Sequence, residues 1–437
     1  MKAELRFFWA RLNANYWFYP ALFSVFAAIL AIAMIYLDRA GFARFLSERE
    51  IIIPVRPTGA TNALTVMASA LIGIASTVFS ITLVAVTFAS GTYGPRLLTN
   101  FLEDKGNQIS LATFIGSFVY AIIVLRAVRT EDETQILEGS STALPGFAPQ
   151  LSLLVAYVLM GLSVGVLVFF LNHVPSSIRI NKVLEQIGRR LIQLVRDTYP
   201  AENEFRDARK SQGGKALTAW GTGYVQLIDF EDLEAIAREC GCTFSLAIRT
   251  GDFVHRDLPV MMVEGCDPED IQDRVRACFN LGAIRTPEQD PQFLIDELVE
   301  IGLRALSPGI NDPFTAITAL HWLGAATAEI ARRDLRQDVC GENAEDCPVI
   351  PLADDFKHYC DRGFGSIRTA VAASPNAALV MLDVLGNAAI PLRDSHRRSI
   401  LRDHGKCLME QARQALVGPD LQTVEKRYAS FEQRFWD

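Results

Sequence analysis

Four stretches of this chain contain no Asp, Glu, Lys, Arg or His: Tyr16 to Leu37, Thr65 to Ser90, Ile109 to Leu125 and Leu151 to Leu171. Their emptiness argues against proton-coupled transport and intramembrane catalysis, which place carboxylates, guanidinium groups or metal ligands within the bilayer. Cysteine is missing from the first 239 residues; all eight (240, 242, 266, 278, 340, 347, 360 and 407) fall in the second half. That usage suits thiols in a reducing compartment and predicts no disulfide framework. Also missing are an H-E-x-x-H helix, a phosphate-cradling glycine loop and an EF-hand loop, and the six histidines form no catalytic group. No enzyme and no cofactor are expected. The net charge of −8 gives no reason to expect nucleic acid as a partner, and nothing repeats at a fixed period.

What is there is apolar. Half of the 437 residues are hydrophobic, and each uncharged stretch is close to the ~20 residues needed to cross a hydrocarbon core of about 30 Å. They predict four transmembrane helices, with the lipid bilayer as partner. The first follows Lys2, Arg6 and Arg11 but is long for a signal peptide and lacks a small-residue cleavage site, so a retained anchor is expected. Tyr16, Trp17 and Tyr19 fit an interfacial aromatic belt. With the N-terminus inside, the inner segments carry ten Lys and Arg near the helix ends and the outer loops six, beside the acidic Glu131, Asp132 and Glu133. The positive-inside rule then predicts a multi-pass protein of a bacterial cytoplasmic (inner) membrane with both termini cytoplasmic.

The expected fold class is a membrane α-helical domain of four transmembrane helices plus a cytosolic α+β module and α-helical domain. Residues 1–175 form the transmembrane domain, with spans at about 16–37, 65–90, 109–125 and 151–171. Residues 176–219 are read as a juxtamembrane amphipathic helix and a linker: Pro175 interrupts the chain, then Ile180, Val183, Leu184, Ile187, Leu191 and Val195 recur at helical spacing among basic residues. That stripe suits a packed face more than contact with anionic headgroups. Residues 220–266 are read as a β-α-β-β module, with GYVQLID, TFSLAIRT and PVMMVEG as strands, Asp229 as a helix cap and GDFV as a hairpin. Residues 267–437 are read as a helical domain beginning with a helix at about 268–281.

Three places are candidates for function. In the second span Ser69, Gly73, Ser76 or Thr77, Ser80 and Thr87 fall three, four or seven apart, giving one face rich in hydroxyls and small residues. Such a face can line a water-filled path or bind a neighbouring helix, and the pattern alone allows both. Gly94, Pro95 and Arg96 follow, as a helix end with anchoring or hinge character. In RALSPGINDPFTA, Ser307-Pro308-Gly309 stops one helix and Asn311 or Asp312 caps the next, with Pro313 at its first position. Ser307, Gly309, Asn311 and Asp312 are therefore a structural corner first and an anion or subunit-contact candidate second. GLSVG at 161–165 matches a hydrolase elbow but lies in an apolar span, where Gly161 and Gly165 suit close helix approach. Cys340, Cys347, His358 and Cys360 have zinc-ligand types at a spacing that fits no common knuckle, so no metal is expected.

RALSPGINDPFTA, with QDPQF at 289–293, YVQLID at 224–229, GDFV at 251–254 and YGPRLL at 93–98, resembles a large bacterial family of predicted multi-span membrane proteins of unknown function. The resemblance runs from about residue 60 to 325. It implies a membrane domain with a cytosolic portion and supplies no activity. The family pattern has an acid a few positions into the helix after the corner, where this chain has His321. From the uncharged, hydroxyl-bearing second span the expected function is a channel-like or transport-related homo-oligomer. The alternative is a membrane-anchored sensor or scaffold without a conduit.

Overall fold

The computed structural model describes residues 15–42, 55–94, 104–129, 146–177, 179–199, 213–335, 339, 347–352 and 354–435. The chain divides into two compact units, Met1–Arg179 and Ile180–Asp437.

The first unit holds four helices long and apolar enough to cross a membrane: α1 (Phe18–Arg39), α2 (Pro57–Tyr93), α3 (Lys105–Ala127) and α4 (Gln150–Ser177). The second is longer than expected. It starts at Pro57, where proline is tolerated because a first-turn amide has no intrahelical partner. At 1.5 Å per residue its 37 residues reach about 55 Å, well beyond a hydrocarbon core. Helix α3 is the most enclosed, and two apolar clusters hold it. One joins Ala27, Ala31, Leu64, Tyr120 and Leu153; the other joins Leu71, Val78, Phe114 and Phe170. A Cβ at Gly116 would lie 3.3 Å from the Phe23 backbone oxygen, which marks the close approach of α1. Pro175 lies inside α4, in its last turn, contrary to the expected break.

Carboxylates tie the helix ends together. Asp38, in the last turn of α1, accepts from the amides of Leu151 and Ser152 at 2.9 Å and from Ser152 Oγ at 2.6 Å. It caps α4, whose own first carbonyl comes from Pro149, a residue with no side-chain acceptor. At the other end of the bundle Asp104 caps α3 through Gly106 N at 2.8 Å and also meets His173 Nε2 at 2.9 Å. A Cβ at residue 106 would come within 2.5 Å of that imidazole.

The second unit begins with α5 (Ile180–Thr198). Its apolar face packs on α8 (Pro291–Ala305) and α9 (Pro313–Ile330), with Val183, Leu184, Ile187, Leu191 and Val195 buried. Each such side chain contributes about 1.5–3 kcal/mol. Two small sheets follow. One has the order β1 (Lys215–Thr218), β5 (Pro259–Glu264), β3 (Thr243–Leu246), β7 (Val349–Ile350), with only β3 and β7 parallel. The other has the order β4 (Phe253–Val254), β2 (Gly223–Ile228), β6 (Phe279–Gly282) and is antiparallel. Helices α6 (Phe230–Cys240) and α7 (Pro268–Ala277) cover their shared core. The remainder is helical: α10 (Phe356–Cys360), a π turn at Asp361–Gly365, α11 (Ser366–Ala372), α12 (Pro375–Ala389), α13 (Ser395–Ala415) and α14 (Gly418–Gln433).

Several expectations are corrected. Residues 215–218 lie in the stretch read as a linker but form β1, and residues 279–281, read as the end of a helix, belong to β6. Both are short strands that exist because a partner strand is present, β5 for one and β2 for the other. GDFV lies in the connection between the antiparallel β3 and β5, as expected of a hairpin, and its Phe253 and Val254 also pair with β2 as β4. The cysteines are not all thiols. Cys242 and Cys266, at the ends of the paired β3 and β5, form a disulfide across a Cα separation of 5.7 Å, and Cys347 is also disulfide-bonded.

Candidate functional site

On α2, successive residues turn about 100°, and the helix divides into sectors. Ala60, Leu64, Leu71, Ala75, Val78, Thr82, Val86 and Ala89 are buried against the rest of the bundle. Opposite them, within about 40° of one line at that pitch, lie Thr58, Asn62, Thr65, Ser69, Gly73, Ser76, Ser80, Leu83, Thr87 and Gly91, every one exposed. Of the residues singled out from sequence, Ser69, Gly73, Ser76, Ser80 and Thr87 share this line; Thr77 is exposed too but sits to its side. The flanks are apolar, with Val66, Ile72, Phe79, Val84 and Phe88 exposed.

The hydroxyls on this line turn their protons inward. Thr65 Oγ1 donates to Thr61 O at 2.8 Å, Ser80 Oγ to Ser76 O at 2.9 Å and Thr87 Oγ1 to Leu83 O at 2.8 Å. Their lone pairs are left facing out, as neutral oxygen acceptors. No atom lies within 4 Å of a Cβ built at Gly73, Gly91, Gly161 or Gly165. Among the described residues no helix makes the expected close approach at Gly161 and Gly165. Ser163 between them is buried instead, 3.2 Å from Ser117 Oγ of α3.

At the end of α2, Gly94 has φ of +125° and its amide reaches Ser90 O at 3.2 Å, a conformation that favours glycine. Pro95 and Arg96 lie outside the described residues.

The corner at 307–313 closes on itself. Ser307 Oγ donates to Arg304 O at 2.6 Å, Asn311 N to Ser307 O at 2.9 Å and Asp312 N to Ala305 O at 2.8 Å. Asn311 is left-handed at φ +50°, which asparagine tolerates better than most residues. The Asp312 carboxylate takes Thr315 N at 3.2 Å and Thr315 Oγ1 at 2.6 Å, so it already occupies the place at the start of α9 that an anion would need. Gly309 and Ile310 are exposed, and Phe314 is 72 % exposed, a tip that suits contact with another surface.

A further constellation was not anticipated. Arg285 binds Asp290 Oδ2 through Nε at 2.8 Å and Asp296 through Nη1 at 2.7 Å. Arg362, on the π turn, holds Asp296 through Nε at 2.6 Å and Nη2 at 2.7 Å, and Gln292 at 2.9 Å. Asp290 also caps α8 through Phe293 N at 3.0 Å, and burial pushes its carboxyl up against the opposing pull of Arg285. Beside this network a small cleft is lined by Tyr199, Arg249, Asp354 and Tyr359 among apolar residues. Tyr199 donates to Asp354 Oδ2 and lies 2.7 Å from the Tyr359 hydroxyl, while Arg249 Nε is 3.1 Å from Asp354 Oδ1. Burial raises the Asp354 carboxyl and holds both phenols well above their usual range. These groups join a β-hairpin loop, the end of α5 and α10 through charges that satisfy one another. Only QDPQF hinted at them, since Arg285 and Arg362 carry no local signal.

Among the described residues no group of three His, Cys, Asp or Glu is placed to hold a metal. His358 of the proposed zinc set instead lies 3.3 Å from Gln292, Cys360 is buried with its thiol pushed up by burial, and Cys340 lies outside the described residues.

Comparisons with known proteins agree with this architecture. The chain is 30% identical over 353 residues to the uncharacterized protein Rv1290c of Mycobacterium tuberculosis and, equally, to the uncharacterized protein Mb1321c of Mycobacterium bovis. The match covers 78% of this chain and 66% of each relative, so the chain spans about two thirds of the curated relatives' length. No solved structure matches. The profile of the family described as "Predicted membrane protein (DUF2254)" covers residues 13–387, and the chain belongs to that family of membrane proteins.

Proposed function

We propose that the protein is a conduit-forming membrane oligomer, in which α2 helices from several copies surround a polar path and the unit from Ile180 onward, assigned to the cytoplasm in this reading from the charge bias of the loops, assembles or regulates it. One observation carries this reading: the hydroxyl-bearing line of α2 lies on the exposed side of the helix, away from the face that α2 buries in its own bundle. Had Ser69, Ser76, Ser80 and Thr87 been sandwiched between helices of one chain, they would have served intrachain packing alone. Facing lipid, Ser80 and Thr87 would keep only the bonds they make to their own helix and would leave their acceptor capacity unused. Copies meeting through the apolar flanks and the open Gly161–Gly165 face bring the oxygens to a common axis, where water or an ion can meet them. The sensor or scaffold alternative uses the same helices with the line closed by direct helix contact.

Single cysteines at Ser69, Ser76, Ser80 and Thr87 in native membranes, treated with a membrane-impermeant thiosulfonate, test the reading. The conduit predicts modification well above that of a cysteine at the flank residue Val66. Stripe cysteines as inert as that control leave only the scaffold.

A further inference from the structure

At the turn between α8 and α9, Leu303, Ile310 and Phe314 are exposed, with Pro308 exposed beside them. The polar groups of the same turn are engaged within it. The amide of Ile310 donates to Ser307 O at 3.0 Å and that of Asp312 to Ala305 O at 2.8 Å, and the Asp312 carboxylate is taken up by Thr315. From Leu303 to Ala319 the only charged residues are Arg304 and Asp312. Apolar side chains over a backbone that bonds to itself are what a segment needs in order to leave water.

Helix register shows which end of the second unit this is. A Cβ at Gly188 of α5 would run into the Trp322 ring of α9. Further along, Arg196 meets Glu329 at 3.1 Å, and Arg333 Nη1 donates to Tyr199 O at 3.2 Å. The three pairs are 134, 133 and 134 residues apart (322 − 188, 329 − 196, 333 − 199), so α5 and α9 run side by side in the same direction. The same offset sets Phe314 level with Ile180. Helix α8 agrees: Arg190 pairs with Glu288 at 3.8 Å just before it starts, and its 15 residues then rise about 22 Å, against about 15 Å from Arg190 back to Ile180. The turn therefore lies at the end of the unit where α5 begins. Ile180 is only three residues after Ser177, the last residue of the apolar helix α4, at most about 11 Å of chain.

We propose that this turn is a bilayer-docking tip: Ile310 and Phe314, with Leu303 at their edge, enter the phospholipid headgroup layer beside the point where the chain leaves the membrane. That layer is about 5–8 Å deep on each side of the hydrocarbon, a depth that a phenyl or sec-butyl side chain can span. Arg179 and Lys182, both exposed at the start of α5, suit the lipid phosphates at the same level. With the α4–α5 link as one attachment and the tip as a second, the unit is held in one orientation against the membrane surface. The inference stands apart from the conduit reading and applies whichever side of the membrane the unit occupies.

The test is site-specific photocrosslinking of the full chain in nanodiscs of phosphatidylcholine and phosphatidylglycerol. p-Benzoylphenylalanine is placed at Phe314, at Ile310 and, as the control, at Arg332, which is exposed beyond the opposite end of α9, and adducts are identified by mass spectrometry after illumination. Phospholipid adducts at 310 and 314 should exceed those at 332 by about fivefold or more. Both side chains are exposed, so these variants should keep the parental thermal unfolding midpoint, and two tip positions guard against one of them disturbing the turn. Phospholipid yields at both tip positions within about twofold of the control overturn the proposal. So do adducts at the tip that join it to another segment of the chain or to a second copy in place of phospholipid.

Discussion

Replacing Asp38 by alanine tests whether the transmembrane bundle is held by a carboxylate from one helix on the end of another. The Asp38 carboxylate accepts three hydrogen bonds, from Leu151 N, Ser152 N and Ser152 Oγ, and the residue is 8 % exposed. The two amides are the second and third of α4, which a helix normally caps from its own sequence; Pro149 cannot do so. Losing a cap costs about 1 kcal/mol, each amide left buried without an acceptor about 1–3 kcal/mol, and the helix dipole loses a favourable charge of about 0.3–1 kcal/mol. These effects overlap, so a net loss of about 2–4 kcal/mol is expected for Asp38→Ala. Asp38→Asn keeps one acceptor of the same shape and should lose about half as much. The assay is equilibrium unfolding of the full chain in mixed micelles, followed by helical circular dichroism. The two variants must fall in that order. An alanine variant within about 0.5 kcal/mol of the parent would show that water satisfies these amides and that the cap contributes nothing.

Two further outcomes concern the second unit. Burial pushes the His404 imidazole down to about 4 from 6.5, with Arg368 adding to and Asp361 opposing the effect. The unfolded chain therefore binds its proton at a higher pH than the folded one, and stability should fall as pH drops from 6.5 toward 4, by about 3 kcal/mol at most; a His404→Gln variant whose urea midpoint keeps the parental slope in that window would contradict it. The Cys242–Cys266 bond spans 24 residues of sequence. Chain entropy at that loop length is about 3 kcal/mol, so the double serine variant should unfold at correspondingly lower urea, and coincident curves would mean the pair adds no constraint.

What the sequence made legible followed from local rules with strong constraints behind them. Four spans were readable because a bilayer core demands about 20 apolar residues in a row. The buried stripe of α5 was readable because Val183, Ile187 and Leu191 repeat at helical spacing; Asp229 declared itself as a cap by position, and the cap after the corner was narrowed to Asn311 or Asp312. What escaped was made by distant partners. The strand Lys215–Thr218 has no pattern of its own and exists through β5. Asp38 meets Ser152 across 114 positions and Asp296 meets Arg362 across 66, spacings that no local period announces.

The second span shows how tertiary packing sharpens a pattern that sequence left ambiguous. Hydroxyls at spacings of three, four and seven describe equally a helix–helix seam and the wall of a path, because both need small polar side chains on one stripe. The two differ in where the stripe points relative to the helix's own bundle. In an intrachain seam, Ser69, Ser76, Ser80 and Thr87 would coincide with the buried residues of α2; instead Leu64, Leu71, Val78 and Val86 occupy that face and the hydroxyls stand opposite. Among the described residues, nothing of the chain buries them.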